Sequence, residues 1–154
     1  MGQQFPEFDL VDQNGKRFAL KNLLGRWSVV YFYPKDNASA CSLEAKDFTC
    51  LAVKFKELKA KAVGVSPDSI QSHAGFVEKK ELRLILLSDP EKVLLKAVGA
   101  WGLKNVYGKE SYGVVRGAFI LDPKGAIQKA WTKVKVKGHA EAVLAKLTEL
   151  KKIG

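Results

Sequence analysis

The sequence predicts an α/β fold in which a central mixed β-sheet is flanked by helices. Short β-branched and aromatic runs alternate with stretches of helical periodicity over the first hundred residues. An Asn-Gly turn near the start joins two extended segments into an N-terminal β-hairpin, and a second hairpin followed by one amphipathic helix closes the chain. With 154 residues, 47% of them hydrophobic, the chain is expected to form one domain over residues 1–154 with a core of its own.

Each element has a local reason. Residues 8–12 and 17–20 flank Gln13-Asn14-Gly15 and form the first hairpin. Residues 28–33, Ser-Val-Val-Tyr-Phe-Tyr, read as a central strand. A helix of four to five turns is expected from near Cys41 to near Lys59, then a strand over 60–66. The turn Ser66-Pro67-Asp68-Ser69 caps a helix running to about Lys80. Residues 84–87 are a short buried strand, and Ser88-Asp89-Pro90 opens a helix ending near Gly99. A strand over 117–121 is closed by Asp122-Pro123-Lys124-Gly125, and its partner returns from Ala126 to about Val136. The last helix spans about 139–152, with Ala140, Val143, Leu144, Leu147, Leu150 and Ile153 as its apolar stripe.

Composition narrows the function. The net charge is +10, but the lysines are scattered along the chain and mixed with acidic residues, which argues against a nucleic-acid partner. The densest basic strip, residues 133–137, alternates lysine with valine and is read as an edge strand guarded by lysine rather than a binding patch. Two cysteines do not make a disulfide framework, so a reducing cytoplasmic home is expected. No apolar run approaches the roughly 18 residues of a membrane span, so no membrane partner is expected. His73 and His139 have no companions at metal-ligand spacing, so both are expected as satisfied or solvated side chains and no metal is implied. Trp101, Val106 and Tyr107 are open between a pocket, a contact surface and core packing.

Chemistry concentrates in residues 33–45, where a strand hands over to a helix around Cys41. Helix N-termini carry unpaired N–H groups and partial positive charge, which favour a thiolate. At 100° per residue, Cys41, Glu44, Leu51, Ala52 and Phe55 fall on the face of Phe48, while Cys50 falls opposite with Lys46, Lys54 and Glu57. Nine residues at about 1.5 Å rise separate the two cysteines by some 13 Å, whereas a disulfide needs roughly 4.4–6.8 Å between Cα atoms. The two cannot bridge while the helix is intact. Position alone leaves Cys41 open between a reactive thiolate and an inert buried cysteine.

The residues now in view resemble the peroxiredoxins, in particular the bacterioferritin comigratory protein, or PrxQ, subfamily. The landmarks are Phe8 to Lys16, Tyr31-Phe-Tyr-Pro-Lys-Asp36, Cys41-Ser-Leu-Glu-Ala45, Gly64-Val-Ser-Pro-Asp-Ser69, Leu86 to Pro90, Trp101-Gly102 and Arg116 to Gly125. The likeness covers nearly the whole chain. It implies a thioredoxin-like fold and a thiol-dependent peroxidase that reduces hydrogen peroxide and organic hydroperoxides through a cysteine sulfenic acid. No cofactor is implied; the partners are a peroxide substrate and thioredoxin or another thiol reductant. Monomer or weak homodimer is the expected state. The matching residues are Cys41 as peroxidatic nucleophile, Pro34 as the pocket proline and Arg116 as the active-site arginine, with Glu44 a further candidate supporting the arginine.

Two departures matter. Ala38 stands where the family has a threonine whose hydroxyl orients the peroxide, and Ser39 or Ser42 is the nearest substitute. Lys46 stands where many members carry the resolving cysteine, and no cysteine lies beyond Cys50. Either Cys50 resolves after the helix unwinds, or an outside thiol does. The departures keep open an alternative, a degenerate redox sensor or binding protein with little peroxidase activity. A disulfide oxidoreductase is disfavoured because the chain lacks Cys-x-x-Cys.

Overall fold

A computed structural model of the chain describes residues 2–106, 108–132 and 134–153. Strands β1 (Asp9–Asp12) and β2 (Arg17–Ala19) pair antiparallel, and Asp12 fixes their turn by accepting the N–H groups of Asn14 and Lys16. A turn of 3-10 helix, Leu20–Leu23, leads to β3 (Ser28–Phe32), α1 (Ser39–Cys50), α2 (Ala52–Glu57) and β4 (Lys61–Ser66). Then come α3 (Ile70–Lys80), β5 (Ile85–Ser88) and α4 (Val93–Ala97). The hairpin β6 (Trp101–Val106) and β7 (Lys109–Val114) precedes β8 (Gly117–Leu121), β9 (Ile127–Thr132) and α5 (His139–Ile153). The main sheet has the order β2-β1-β5-β4-β3-β8-β9, and β6 and β7 pair separately. Strands β3, β4 and β5 run parallel, while β1 and β8 join them antiparallel, so the sheet is mixed as expected.

The period-two alternation of β3 divides the core. Val29, Tyr31 and Tyr33 face the side covered by Phe48 of α1, Phe55 of α2, Phe76 of α3 and Val143 of α5. Val30 and Phe32 face the other side, with Phe5, Phe18 and Leu94. Tyr31 stacks on Phe48 with centroids 4.7 Å apart, which seats α1 on the sheet. Gly64 of β4 makes room for this: a Cβ there would lie 2.8 Å from Tyr31 Cζ.

Three expectations need correction. The helix expected over 41–59 is two segments, because Leu51 leaves helical geometry at φ −94° and ψ 3° and its N–H is divided between Asp47 O and Phe48 O. The phase survives the break: Cys41, Glu44, Phe48 and Phe55 are buried, Leu51 and Ala52 half-buried, and Lys46, Cys50, Lys54 and Glu57 exposed. The strand expected to reach Val136 ends at Thr132, and residues 134–138 are irregular, so the described part of the lysine strip, 134–137, is no edge strand. There Val134 N–H turns aside to bond Arg116 O at 3.0 Å. The helix expected to fill 90–99 is confined to Val93–Ala97, after Lys92 in a left-handed conformation. The hairpin of β6 and β7 was not foreseen; Trp101 packs at the second core, Tyr107 lies outside the described residues, and the surroundings of the Val106 side chain are not among those described.

A buried polar network fastens the loop between β3 and α1. Asp36 Oδ1 accepts from Tyr33 Oη at 2.7 Å, and Oδ2 accepts from Ser72 Oγ at 2.7 Å and lies 2.7 Å from His73 Nδ1. His73 Nε2 lies 3.0 Å from Leu87 O, a pure acceptor, so Nε2 carries a proton. Burial works against the Asp36 carboxylate, but the hydrogen bonds from His73, Tyr33 and Ser72 outweigh it and hold the carboxyl below its ordinary value. His73 Nδ1 and the Tyr33 and Ser72 hydroxyls thus converge on one buried carboxylate. The Asp36 N–H donates to Asp68 Oδ2 at 2.7 Å, closing the link to the turn before α3. Asp36, Asp68 and His73 thus bring metal-ligating atoms within 4.8 Å of one another, but those of Asp36 and His73 are engaged with each other and Asp68 Oδ2 with Asp36 and Ser66.

Breaking one partner of such a pair strands the other. Asp36→Asn and His73→Gln should each lower stability by about 3 kcal/mol, measured by urea denaturation, and the double variant should lose less than the sum. Gly64→Ala should cost about 1–3 kcal/mol by forcing Tyr31 off Phe48; an unchanged urea midpoint would show that the stack yields freely.

Candidate active site

Helix α1 begins where β3 points. Its N-cap, Ala38, is extended and provides no side-chain hydrogen bond. The N–H groups of Ser39, Ala40 and Cys41, in the first turn, therefore receive no capping oxygen from it. Cys41 lies in that turn and is buried, with 1% of its surface exposed.

The sheet brings Arg116 to the same place. Strand β8 runs antiparallel to β3 with Phe32 opposite Gly117, so Arg116 sits across from the end of β3, where the chain turns toward α1. One guanidinium nitrogen, Nη2, donates to Cys41 Sγ at 2.9 Å, and the other, Nη1, donates to Glu44 Oε1 at 2.9 Å. Glu44 is three residues after Cys41 on the same buried face of α1. The three expected residues Cys41, Glu44 and Arg116 are thus joined through the Arg116 guanidinium. Pro34 is half-buried in the adjoining loop, immediately after Tyr33.

Glu44 is under strain of an electrostatic kind. Burial pushes its carboxyl up to about 7; the Arg116 charge and hydrogen bond oppose the shift, and Asp47 adds to it. Its second oxygen, Oε2, has no hydrogen-bond partner among the described residues, and neither do the buried Ser42 Oγ and Tyr31 Oη. Of the two serines that stand near Ala38, Ser39 is exposed, and Ser42 holds a buried, unpartnered hydroxyl next to Cys41.

Cys50 is exposed at the end of α1 and far from this cluster, so the structure does not bring the two sulfurs together. His73 is satisfied, within the Asp36 network. His139, expected as satisfied or solvated, is neither: it is buried edge-on against Phe48 and Trp131, its Nε2 has no partner among the described residues, and burial lowers its basicity. The Tyr33–Asp36–Ser72–His73 network was missed by sequence reasoning. A signal existed: His73 is three residues before Phe76, on the inward face of an amphipathic helix.

The chain is similar to known proteins along nearly its whole length. The model of the AhpC/TSA family matches residues 1–130. The chain is 44% identical over 147 residues to a putative peroxiredoxin bcp of Helicobacter pylori strain J99, covering 96% of this chain and 97% of that protein. It is 41% identical over 150 residues to peroxiredoxin Bcp of Bacillus subtilis strain 168, covering 97% and 96%. Among solved structures, the Xanthomonas campestris bacterioferritin comigratory protein, studied for alkyl peroxide reduction, superposes with a TM-score of 0.88 at 41% identity over 92% of this chain and 90% of that one. PrxQ of Xylella fastidiosa superposes with a TM-score of 0.89 at 36% identity over 94% and 89%. The fold is therefore the thioredoxin-like fold of these proteins, and the chain belongs to the AhpC/TSA family, within it to the Bcp/PrxQ peroxiredoxins.

Proposed function

We propose that this chain is a thiol-dependent peroxidase whose nucleophile is Cys41. The observation that carries the reading is the 2.9 Å contact from the Arg116 guanidinium to Cys41 Sγ at the start of α1. A cationic donor at this distance can pair with the negative charge of an attacking thiolate. The thiolate attacks the terminal oxygen of the peroxide; the S–O bond forms as the O–O bond breaks. The departing alkoxide or hydroxide takes a proton and leaves as alcohol or water, and the sulfur, oxidised by two electrons, is a sulfenic acid. Arg116 and the first-turn N–H groups stabilise charge on the peroxide oxygens. Glu44 holds Arg116 in place, and Pro34 shields the sulfenic acid. A thiol then condenses with the sulfenic acid, releasing water, and a second thiol reduces the resulting disulfide.

The proposed reductant is thioredoxin or a small thiol, consistent with a cytoplasmic setting. Among the described residues no helix is long and apolar enough to cross a membrane. The reading takes residues 1–154 as one domain, active as a monomer or weak homodimer, with neither nucleic acid nor membrane as partner. An external thiol is the simpler resolving route, since Cys50 reaches Cys41 only if α1 unwinds. The second reading, a redox sensor with slow turnover, rests on Ala38, which places no hydroxyl at the N-cap.

Cys41→Ser should abolish turnover of hydrogen peroxide, while Cys50→Ser with external thiol should retain it; unchanged turnover in Cys41→Ser would sink the assignment. Arg116→Gln should slow oxidation of Cys41 about 10²–10³-fold. In wild type, oxidation of Cys41 no faster than a free thiol would favour the sensor. The raised Glu44 carboxyl also sets a pH dependence. The folded chain holds a proton on Glu44 between about pH 4.5 and about 7 that the unfolded chain has lost, so stability falls as pH rises through that window. Relative to Glu44→Gln, wild type should lose about 3 kcal/mol across it, read from urea midpoints of the two proteins at each pH.

A further inference from the structure

A cavity of about 440 Å³ opens at the N-terminal ends of the parallel strands, away from Cys41. Gly25 and Arg26 before β3, Ala60 and Ala62 at β4, and Arg83 and Leu84 before β5 form one wall, and α1 and α2 form the other. Ala52, Ala60 and Ala62, half-buried, give it an apolar lining above the buried Phe48 and Phe55. Arg26, Lys56, Lys59 and Arg83 line it, and among the described residues no carboxylate does. Among the described residues none of these four cations is in an ion pair.

The positive charge here is crowded. Lys61, in an adjoining cavity that shares Ala62, Arg83 and Leu84, has its ammonium pushed below its ordinary value by burial and by the charge of Arg26. Lys59, just past the Leu58 C-cap of α2, takes a left-handed conformation, φ 56°, where glycine would be unstrained. Four unpaired cations around one concavity are not neutralised by a single negative charge. Guanidinium groups suit phosphate oxygens, which they meet with paired N–H donors. The volume lies in the range of small-molecule sites, about 300–1,000 Å³.

We propose that this cavity binds an organic polyphosphate of the nucleoside diphosphate class, its phosphates on the Arg26, Lys56, Lys59 and Arg83 rim and its ring against the apolar lining of Ala52, Ala60 and Ala62. The site is separate from the thiol chemistry and does not depend on it.

The test is calorimetric titration of the reduced full chain with ADP, and with pyrophosphate and adenosine in parallel. ADP should bind with one site per chain, pyrophosphate more weakly, and adenosine not measurably. Arg26→Gln/Arg83→Gln should weaken ADP about tenfold or more. Lys16→Gln/Lys79→Gln, which removes the same charge from exposed positions outside the cavity, should leave it unchanged, as should Cys41→Ser. Circular dichroism checks that each variant is folded. No saturable ADP binding by wild type, equal weakening in both double variants, or adenosine binding as tightly as ADP would each overturn the proposal. Loss of peroxidase activity in Cys41→Ser with ADP binding intact keeps the two readings apart.

Discussion

Strand β3 constrains everything else. It is buried on both faces and paired on both edges, parallel to β4 and antiparallel to β8. The parallel pairing sends the chain over the sheet in a helical crossover, which places the N-terminus of α1 above the end of β3. The antiparallel pairing delivers Arg116 from the other side, one residue before Gly117 opposite Phe32. A one-residue slip of either register would turn the inward row of Val29, Tyr31 and Tyr33 to the opposite face. Burial of those side chains, each worth about 1.5–3 kcal/mol, therefore sets the geometry of the sulfur and the guanidinium at once.

Electrostatics at the site is a balance of two opposing demands. Burial excludes water from the sulfur and strengthens every charge interaction around it. The same burial penalises the Glu44 carboxylate, whose partner Arg116 only partly offsets it. The Asp36–His73 pair shows the contrasting solution: three hydrogen bonds gather on one carboxylate, and the charge is tolerated at almost complete burial. Among the described residues Glu44 has one ionic partner and an Oε2 without a hydrogen bond, and burial raises its carboxyl to about 7, close to the boundary between its two protonation states at neutral pH.

What was legible in the sequence followed physical range. Helical phase located the buried face of 41–55 because periodicity is local, and it separated Cys41 from Cys50 correctly despite the break at Leu51. That break was not legible, since neither glycine nor proline marks it and only the backbone angles of Leu51 show it. The hairpin of β6 and β7 was hidden by glycines and charges that blur alternation over Trp101–Val114. Arg116 was reached only through the family resemblance, and the contacts of Asp36 with His73, 37 residues apart, are set by tertiary pairing that no local pattern encodes.

The interruption at Leu51 divides what would have been one long helix into pieces of 12 and 6 residues. Isolated helices shorter than about 12–15 residues are marginal in water, so both pieces owe their order to contacts with the sheet. In α1 those contacts are the burial of Cys41, Glu44, Ala45 and Phe48 against the sheet. The position of the sulfur is thus inherited from the sheet rather than from the helix that carries it.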